Sequence, residues 1–449
     1  MWKLQFGINA RILLSVLLSG LASLSTAAPL DLTVPEQKDY QTIKVQPLTL
    51  KQALSRVQAE NPGLAEMQAR AEAMAAIPSQ VGSLPDPVIS LNTLNLPVDT
   101  FNIDQEAMTQ LQFGISQRIP YPGKLSLKQQ IASHQAKAAV STTDEMRLLL
   151  SRDVKTLWWR LFYLDRSIEV ITINKTLLRQ FIEIAQTKYK VGQGLQQDVL
   201  LAQLELSKLL DQGIKLASRR KQEAARLNAL LNQSTYLPVQ LPALTDIALD
   251  LPALKSSSDI FLLAKEHRPA LATQRSLIEA ATERQKLAEQ DLLPDFNIGA
   301  SYGIRQGDSP NGDHRADLFS LKIGVNVPLF AGSKQKMAIS QRSSEVKQQQ
   351  FALQDDWLAI QADISTTIAD YHRATEQVSL FKTGVIPQAR QTVASMLAGY
   401  QVNKVDFLNL IRSQITLYNY ETSLWKTISE AKSALARLVA TVGEENIYE

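Results

Sequence analysis

Cysteine is absent from this chain of 449 residues, and histidine occurs only four times. The lack of cysteine excludes disulfide bonds, thiolate metal sites, a cysteine nucleophile and a thioether-linked lipid anchor. No run of apolar residues reaches the length of about 18 that a transmembrane helix needs. Charges of the two signs nearly balance, with 47 Lys and Arg against 44 Asp and Glu and no long basic run. A nucleic-acid-binding surface is therefore not expected.

Residues for catalysis or metal binding are not grouped in the sequence. The histidines are His134, His267, His314 and His372. Neither these residues nor nearby carboxylates have the spacing of metal ligands, and no Ser/His/Asp arrangement is evident. We therefore predict no enzyme activity, no metal site and no cofactor.

The amino terminus has the features of an export signal. Lys3 and Arg11 precede or begin an apolar stretch, residues 12–24, that is too short to span a bilayer. Small residues at Ser25 and Ala27 then form a plausible cleavage site. We predict a signal peptide at residues 1–27.

The mature sequence consists of two similar halves offset by about 210 residues. Short matches recur in the same order: 62–65 with 269–272, 84–86 with 293–295, 119–124 with 327–334, and 189–192 with 400–403. We predict the following organisation: N-terminal extension 28–48, first repeat 49–240, linker 241–257, second repeat 258–443 and tail 444–449.

The placement of proline, which breaks helix interiors, predicts long helices. No proline lies between Pro122 and Pro238, and after Pro328 only Pro387 interrupts the chain. In the first tract apolar residues repeat about every 3.5 positions, the period of supercoiled helices in coiled coils. These residues are Leu150, Val154, Leu157, Leu161, Leu164, Ile168 and Ile171. A similar stripe runs through residues 353–371 of the second tract.

Residues that favour a turn interrupt each tract once. Gly192 and Gly194 interrupt the first tract, and Asn403 occupies the matching place in the second. We therefore predict that each tract forms a helical hairpin with its tip at these residues. One of the helices, from about residue 125 to residue 189, would be on the order of 97 Å long.

Four stretches with strand alternation lie between the helices: residues 88–96, 111–116, 296–304 and 319–327. In the first of them Asn92 and Asn95 interrupt the alternation. A length of about nine to eleven residues with one apolar face is typical of outer-membrane strands. Two ordinary hairpins on a soluble core would show the same pattern. If the strands face lipid, several chains must contribute their strands to one barrel, because four strands cannot close a barrel.

The signal peptide, the duplicated plan and the strand-to-helix segments 119–124 and 327–334 resemble the outer-membrane efflux factor (TolC-like) family. The residues that mark these strand-to-helix switches are Pro120, Pro122, Gly123, Pro328 and Gly332. The resemblance covers about residues 48–443. Segments 84–87 and 116–124 are most similar to the heavy-metal (CzcC/CusC-like) branch.

This resemblance implies a mainly α fold with a small β portion. Three chains, with four strands each, would form a twelve-stranded outer-membrane β-barrel that continues into a long α-helical periplasmic barrel. The implied location is the outer membrane, where the trimer contacts lipid and its tunnel projects into the periplasm.

The implied function is the channel component of a tripartite efflux pump that exports heavy-metal cations. Its implied partners are a periplasmic adaptor protein and an inner-membrane RND-type transporter. A type I protein-secretion duct or a drug-efflux duct would share these features. A periplasmic adaptor is a weaker alternative, because adaptors have a single helical hairpin.

The resemblance also implies a gate at the hairpin tips. The candidate gate residues are Asp198, Lys404, Asp406, Asn409 and Arg412. Asp198 matches a family position that is typically acidic, whereas Asn409 replaces the acidic residue expected in the second half. Pairs such as Asp198 with Arg412, or Asp406 with Lys404, would tie neighbouring hairpins together. Alternatively, Asp198 only N-caps the helix that follows it.

Overall fold

The computed structural model describes residues 46–448, so the predicted signal peptide lies outside the described residues. The helices are α1 (Leu50–Glu60), α2 (Pro62–Gly82), α3 (Lys124–Lys190), α4 (Gln196–Leu230), α5 (Ser257–His267), α6 (Pro269–Gln290), α7 (Gln335–Leu380), α8 (Ile386–Gln401) and α9 (Phe407–Val442). The strands are β1 (Val88–Leu94), β2 (Gln110–Ile119), β3 (Asp295–Ile304) and β4 (Leu318–Asn326). The chain is mainly helical with a small sheet, as predicted. In this part of the chain, no helix combines the length and the apolar character needed to cross a membrane.

The predicted long helix is present as α3, which is continuous over 67 residues. At ~1.5 Å per residue it is about 100 Å long. Gly123 precedes it with a φ of 98°, a left-handed conformation that glycine adopts at little cost. The predicted apolar stripe faces the interior: Val154 and Leu161 are fully buried and pack with Val57 of α1 and Leu227 of α4. Truncating such a side chain to alanine typically costs about 2–5 kcal/mol.

The second long tract stays helical through Pro387. Helix α7 passes into a π-helical turn at Phe381–Val385 and then directly into α8. Pro387 lies in the first turn of α8. Proline lacks an N–H, and its ring clashes with the carbonyl four residues earlier, so the wider π turn accommodates it. Each tract therefore forms a long hairpin, α3 with α4 and α7–α8 with α9, as predicted.

The four strands form one antiparallel sheet in the order β1–β2–β3–β4. One row across the sheet is apolar and exposed, and consists of Leu91, Phe113, Tyr302 and Phe319. The adjacent row points to the other face and consists of Ser90, Gly114, Ser301 and Ser320. The sheet therefore has one exposed apolar face and one polar face.

Strand β1 differs from its sequence-based prediction in two respects. It ends at Leu94 rather than at residue 96, because Asn95 has a φ of 53° and leaves the extended conformation. Asn92 does not interrupt the alternation, since it pairs with Gln112 on the polar face.

The long helices lie side by side in one layer. Towards the hairpin tips the order is α4–α3–α9–α7, with α8 continuing α7, and near the sheet it is α2–α3–α6–α7. Residues 241–256 and 443–448, which we call the belt, cover one side of this layer. Within this cover, the Tyr371 hydroxyl donates to the Pro252 carbonyl at 2.7 Å. Trp158 on the same side of the layer donates its indole N–H to the carbonyl of Leu48 at 3.0 Å.

Candidate functional site

Both hairpin tips close with the same type of turn. Gly192 has a φ of 72° and Asn403 a φ of 60°, the left-handed conformation that commonly terminates helices. In the first tip the residue after Gly192 donates its N–H to the carbonyl of Lys188, and in the second tip the residue after Asn403 donates to the carbonyl of Gly399, both at 2.8 Å. Gly192 and Asn403, two of the residues predicted as tip turns, therefore occupy equivalent places in the two hairpins.

An exchange of side chains makes the two tips different. Gly194 faces Lys188 in the first tip, where a Cβ on the glycine would lie 2.9 Å from the lysine Cβ. In the second tip Gly399 faces Val405, and a Cβ on that glycine would lie 2.5 Å from the valine Cγ2. Each tip thus needs one glycine, but at opposite ends of its turn. Only the first tip has room for a lysine at this position.

The side chain of Lys188 joins the two tips. Its Nζ donates to the carbonyl of Tyr400 at 2.5 Å and to the Oδ1 of Asn403. It also lies 4.6 Å from the centroid of the Tyr400 ring, within the range of a cation–π interaction. Lys188 and Tyr400 are only 9% and 5% exposed. A buried ammonium group needs acceptors, and here the second hairpin supplies them.

Asp198 lies in the first turn of α4, next to this contact. The N-cap residue is Leu195, so the expectation that Asp198 is the N-cap is wrong. Leu195 has an extended backbone, and its carbonyl already accepts the N–H of Asp198 at 3.1 Å. The carboxylate of Asp198 instead lies near Leu195, Tyr400 and Asp406.

The surroundings of Asp198 make its ionised form less favourable than that of a solvated aspartate. Burial raises the pKa of Asp198 above its usual value, and the charge of Asp406 adds to this effect. Burial, followed by the charge of Asp198, raises the pKa of Tyr400 to about 12. The Tyr400 hydroxyl is buried and has no well-aligned hydrogen-bond partner among residues 46–448. Opening of the tip to solvent would therefore change the pKa of Asp198.

The remaining candidate gate residues lie at the surface of the second tip. Lys404, Asp406, Asn409 and Arg412 are all exposed. Across the described part of a single chain, neither Asp198 with Arg412 nor Lys404 with Asp406 forms an ion pair. Pairing of these residues between chains stays a prediction.

The sequence patterns do not single out Lys188 and Tyr400, the two residues that join the tips. The internal repeat aligns Tyr189 with Tyr400, but Tyr189 is 49% exposed whereas Tyr400 is buried. The same alignment places Lys188 opposite Gly399. A charged residue aligned with a glycine was the available signal that the two tips are not equivalent.

An ion pair between the halves holds the first strand-to-helix switch. Lys124 directly follows Gly123 and is buried. Its Nζ donates to the Oδ1 of Asp295 at 2.9 Å and to the carbonyl of Leu293 at 3.1 Å, and it lies 3.2 Å from Asp291. The start of α3 is therefore fixed to the start of β3.

The prolines of both switches lie where the chain leaves the sheet. Pro120 and Pro122 separate β2 from α3, and Pro328 follows β4. Proline cannot donate to a neighbouring strand and so favours a strand end. Gly332 does not adopt a positive φ, unlike Gly123, so the two switches differ in backbone conformation.

Comparison with known families identifies the class of this protein. Residues 53–233 and 262–444 match the model of the outer membrane efflux protein family. The chain therefore belongs to this family, which confirms the TolC-like resemblance and the outer-membrane location. Members of the family are channels rather than enzymes, as predicted.

Curated relatives match over part of their length. The alkaline protease secretion protein AprF of Pseudomonas aeruginosa is 24% identical over 282 residues, which cover 60% of this chain and 56% of AprF. The outer membrane efflux protein BepC of Brucella suis is 23% identical over 256 residues, 56% of this chain and 54% of BepC. The chain thus spans about half the length of the curated relatives that it matches.

Several solved structures have the same fold. The outer-membrane channel OprN has a TM-score of 0.74 at 16% identity, with 88% of this chain and 89% of OprN covered. VceC of Vibrio cholerae has a TM-score of 0.72 at 17% identity, covering 88% and 96%. CusC has a TM-score of 0.73 at 15% identity, covering 91% and 99%.

Proposed function

We propose that this protein is the outer-membrane duct of a tripartite efflux pump and that three copies form the duct. The sheet carries this proposal. It has an exposed apolar face, and within residues 46–448 its outer strands β1 and β4 each have one unpaired edge. Lipid favours the apolar face but does not tolerate the unpaired backbone groups of an edge.

Pairing between copies removes these edges. Strand direction alternates from β1 to β4, so β4 of one copy and β1 of the next would pair antiparallel, like the strands within a copy. With four strands per chain, three copies give a twelve-stranded barrel, an even number as in other bacterial outer-membrane barrels. The apolar face would contact lipid, and the polar face would line the lumen.

Among the described residues, the helical layer also has two open edges. One edge is α4, where Leu200, Leu204 and Ile214 are 56%, 52% and 71% exposed. The other edge is α7–α8, where Leu380 is 56% exposed. Packing α4 of one copy against α7–α8 of the next would bury both apolar edges and close a ring.

A tripartite pump also needs partner proteins and a cargo. A periplasmic adaptor and an inner-membrane RND-type transporter would dock at the hairpin tips. The sequence resemblance to the heavy-metal branch supports metal cations as cargo, and CusC is among the proteins with the same fold. A type I protein-secretion duct is the second candidate, because the relative AprF is named for alkaline protease secretion.

Mass measurement and channel recording test this function together. We expect the detergent-solubilised protein to have three times the mass of one chain and to conduct ions in planar bilayers. The double variant Leu200→Gln/Leu204→Gln should lose the trimer because its edge becomes polar. Lys221→Gln, an exposed change elsewhere on α4, should keep it. A folded wild-type monomer that stays in solution without detergent would refute the proposal.

A further inference from the structure

A cavity of about 860 Å³ lies on the helical layer, and α4, α3, α9 and α7 all contribute to its wall. These four helices are neighbours in a single layer. One cavity can contact all four only if the layer curves around it. The cavity therefore marks the concave face of the layer.

The belt covers the opposite face. Trp158 of α3 and Lys432 of α9 lie beneath the belt, and the Lys432 ammonium donates to the carbonyl of Asp250. Arg160 and Glu430, two positions away on the same helices, line the cavity. Two positions correspond to a rotation of about 200° around a helix, so these residues point to the opposite side.

The concave face lines the tunnel in the proposed trimer, and this step rests on the proposed function. A ring of three layers closes around its concave faces. If the belt were inside the ring, it would obstruct the passage that the ring encloses. The belt therefore surrounds the tunnel, and the cavity opens into its lumen.

Basic side chains outnumber acidic ones on this wall, which we call the basic girdle. Its basic residues are Arg152, Arg160, Arg219, Arg373, Lys426 and Arg437. Four acidic residues share the same wall, which leaves an excess of two positive charges in each chain. Three copies would place this excess around one axis, where walls of low dielectric constant strengthen the potential.

Three of the four acidic residues of the girdle have little capacity left to bind a cation. Glu223 contacts Arg160 at 3.3 Å and Arg226 at 3.0 Å. Asp370 and Glu430 are likewise each contacted by two basic side chains. Each guanidinium group has five N–H donors, so donors remain after these contacts are made.

We propose that the basic girdle binds carboxylate or phosphate groups of anionic cargo as the cargo passes through the tunnel. Arg219 is exposed and has no ion-pair partner within residues 46–448 of its chain. Guanidinium groups recognise carboxylate and phosphate oxygens through paired hydrogen bonds. The same field repels a free metal cation, so the girdle favours an acidic organic cargo in place of the metal cations that the family resemblance suggests.

Ion selectivity in planar bilayers tests the girdle. Under a KCl gradient, we expect the reversal potential of the wild-type channel to give a chloride-to-potassium permeability ratio above one. We expect trivalent citrate to block this current. Arg219→Glu changes the charge of three copies by six units in total, which should bring the ratio to one or below and weaken the citrate block. Lys51→Glu makes the same change at an exposed position of α1 away from the cavity and should leave both unchanged.

The outcomes separate this inference from the proposed function. If the wild-type channel prefers potassium, the girdle proposal is wrong but the duct proposal stands. The same holds if the wild type and Arg219→Glu have equal selectivity. A wild-type protein that forms no channel overturns the duct and the girdle with it. If Arg219→Glu does not assemble, Arg373→Gln provides the second variant, because its half-exposed side chain contributes little to folding. Unchanged selectivity in that variant also overturns the girdle.

Discussion

The ammonium group of Lys124 lies 2.9 Å from the carboxylate of Asp295, and this contact joins the start of α3 to the start of β3. The two side chains are only 7% and 13% exposed. The carboxylate also accepts from the N–H of Tyr121 at 3.1 Å and from Arg118 at 3.0 Å. One buried ion pair therefore connects the two halves where the helices meet the sheet.

Removing the lysine charge should destabilise this junction. In Lys124→Met, the largely buried carboxylate of Asp295 loses the ammonium group and keeps only Arg118 as a charged partner within residues 46–448, and breaking a buried pair in this way costs about 3 kcal/mol. Thermal unfolding of the detergent-solubilised protein, followed by circular dichroism, should show the loss. Asp291→Asn is the matched control, because Asp291 is 56% exposed and its contact is worth about 1 kcal/mol or less. Equal losses of thermal stability in the two variants would show that the Lys124–Asp295 ion pair does not stabilise this junction.

The phase of β4 predicts which residues contact lipid. Ile323 lies on the apolar face opposite Ile298 and is 67% exposed, so Ile323→Arg should place a charge in the bilayer. The expected cost is about 2–4 kcal/mol per chain near the midplane. The neighbouring Gly324 is on the polar face, where a Cβ would lie 3.7 Å from that of Asn297, an ordinary contact. The amount of trimer in the outer-membrane fraction should fall in Ile323→Arg but not in Gly324→Arg.

Local patterns in the sequence predicted the long helices, the two hairpins and the strands. The apolar stripe that contains Leu161 and the scarcity of proline are local features of the sequence, so they can be recognised without a structure. Contacts between the halves are not visible in this way. Lys124 and Asp295 are separated by 171 positions, and Lys188 and Tyr400 by 212 positions. Such contacts depend on how distant helices pack.

The two halves also perform one task with unlike residues. Asn61, which precedes α2, donates to the carbonyl of Leu230 at the end of α4, at 2.9 Å. Arg268, which precedes α6, donates to the carbonyl of Ala440 near the end of α9. Both contacts satisfy a carbonyl at a helix end. A comparison of residue types between the repeats does not reveal this equivalence, because the amide of Asn61 corresponds to the guanidinium group of Arg268.

The tip should respond to pH through Asp198. Burial and the nearby Asp406 raise the pKa of Asp198 above its usual 3.8 in this arrangement, despite the charge of Lys188. A solvated Asp198 in an opened tip would keep its usual pKa, so protonation favours the arrangement seen here. This stabilisation is complete below the usual pKa and is lost as pH rises through the raised one. We therefore expect single-channel conductance to fall as pH is lowered through this window.

Two substitutions isolate this titration. Asp198→Asn cannot ionise, so its conductance should be low at neutral pH and should lack the acid step. Asp211→Asn, also on α4 but with a side chain that is 59% exposed, should keep the step. An unchanged acid step in Asp198→Asn would assign the titration to another group.

The contact of Lys188 with the second tip should hold the tips together. Lys188→Met keeps most of the side-chain volume but removes the ammonium group, so Tyr400 and Asn403 lose its hydrogen bonds. Hydrogen bonds to charged groups are worth about 1.5–3 kcal/mol, and the loss occurs in every copy. Single-channel conductance should therefore rise in Lys188→Met. Lys190→Met removes the same charge from an exposed position on the same helix and should conduct like the wild type. If Lys188→Met also conducted like the wild type, apolar packing at the tip, such as that between Tyr400 and Phe407, would be sufficient to keep it closed.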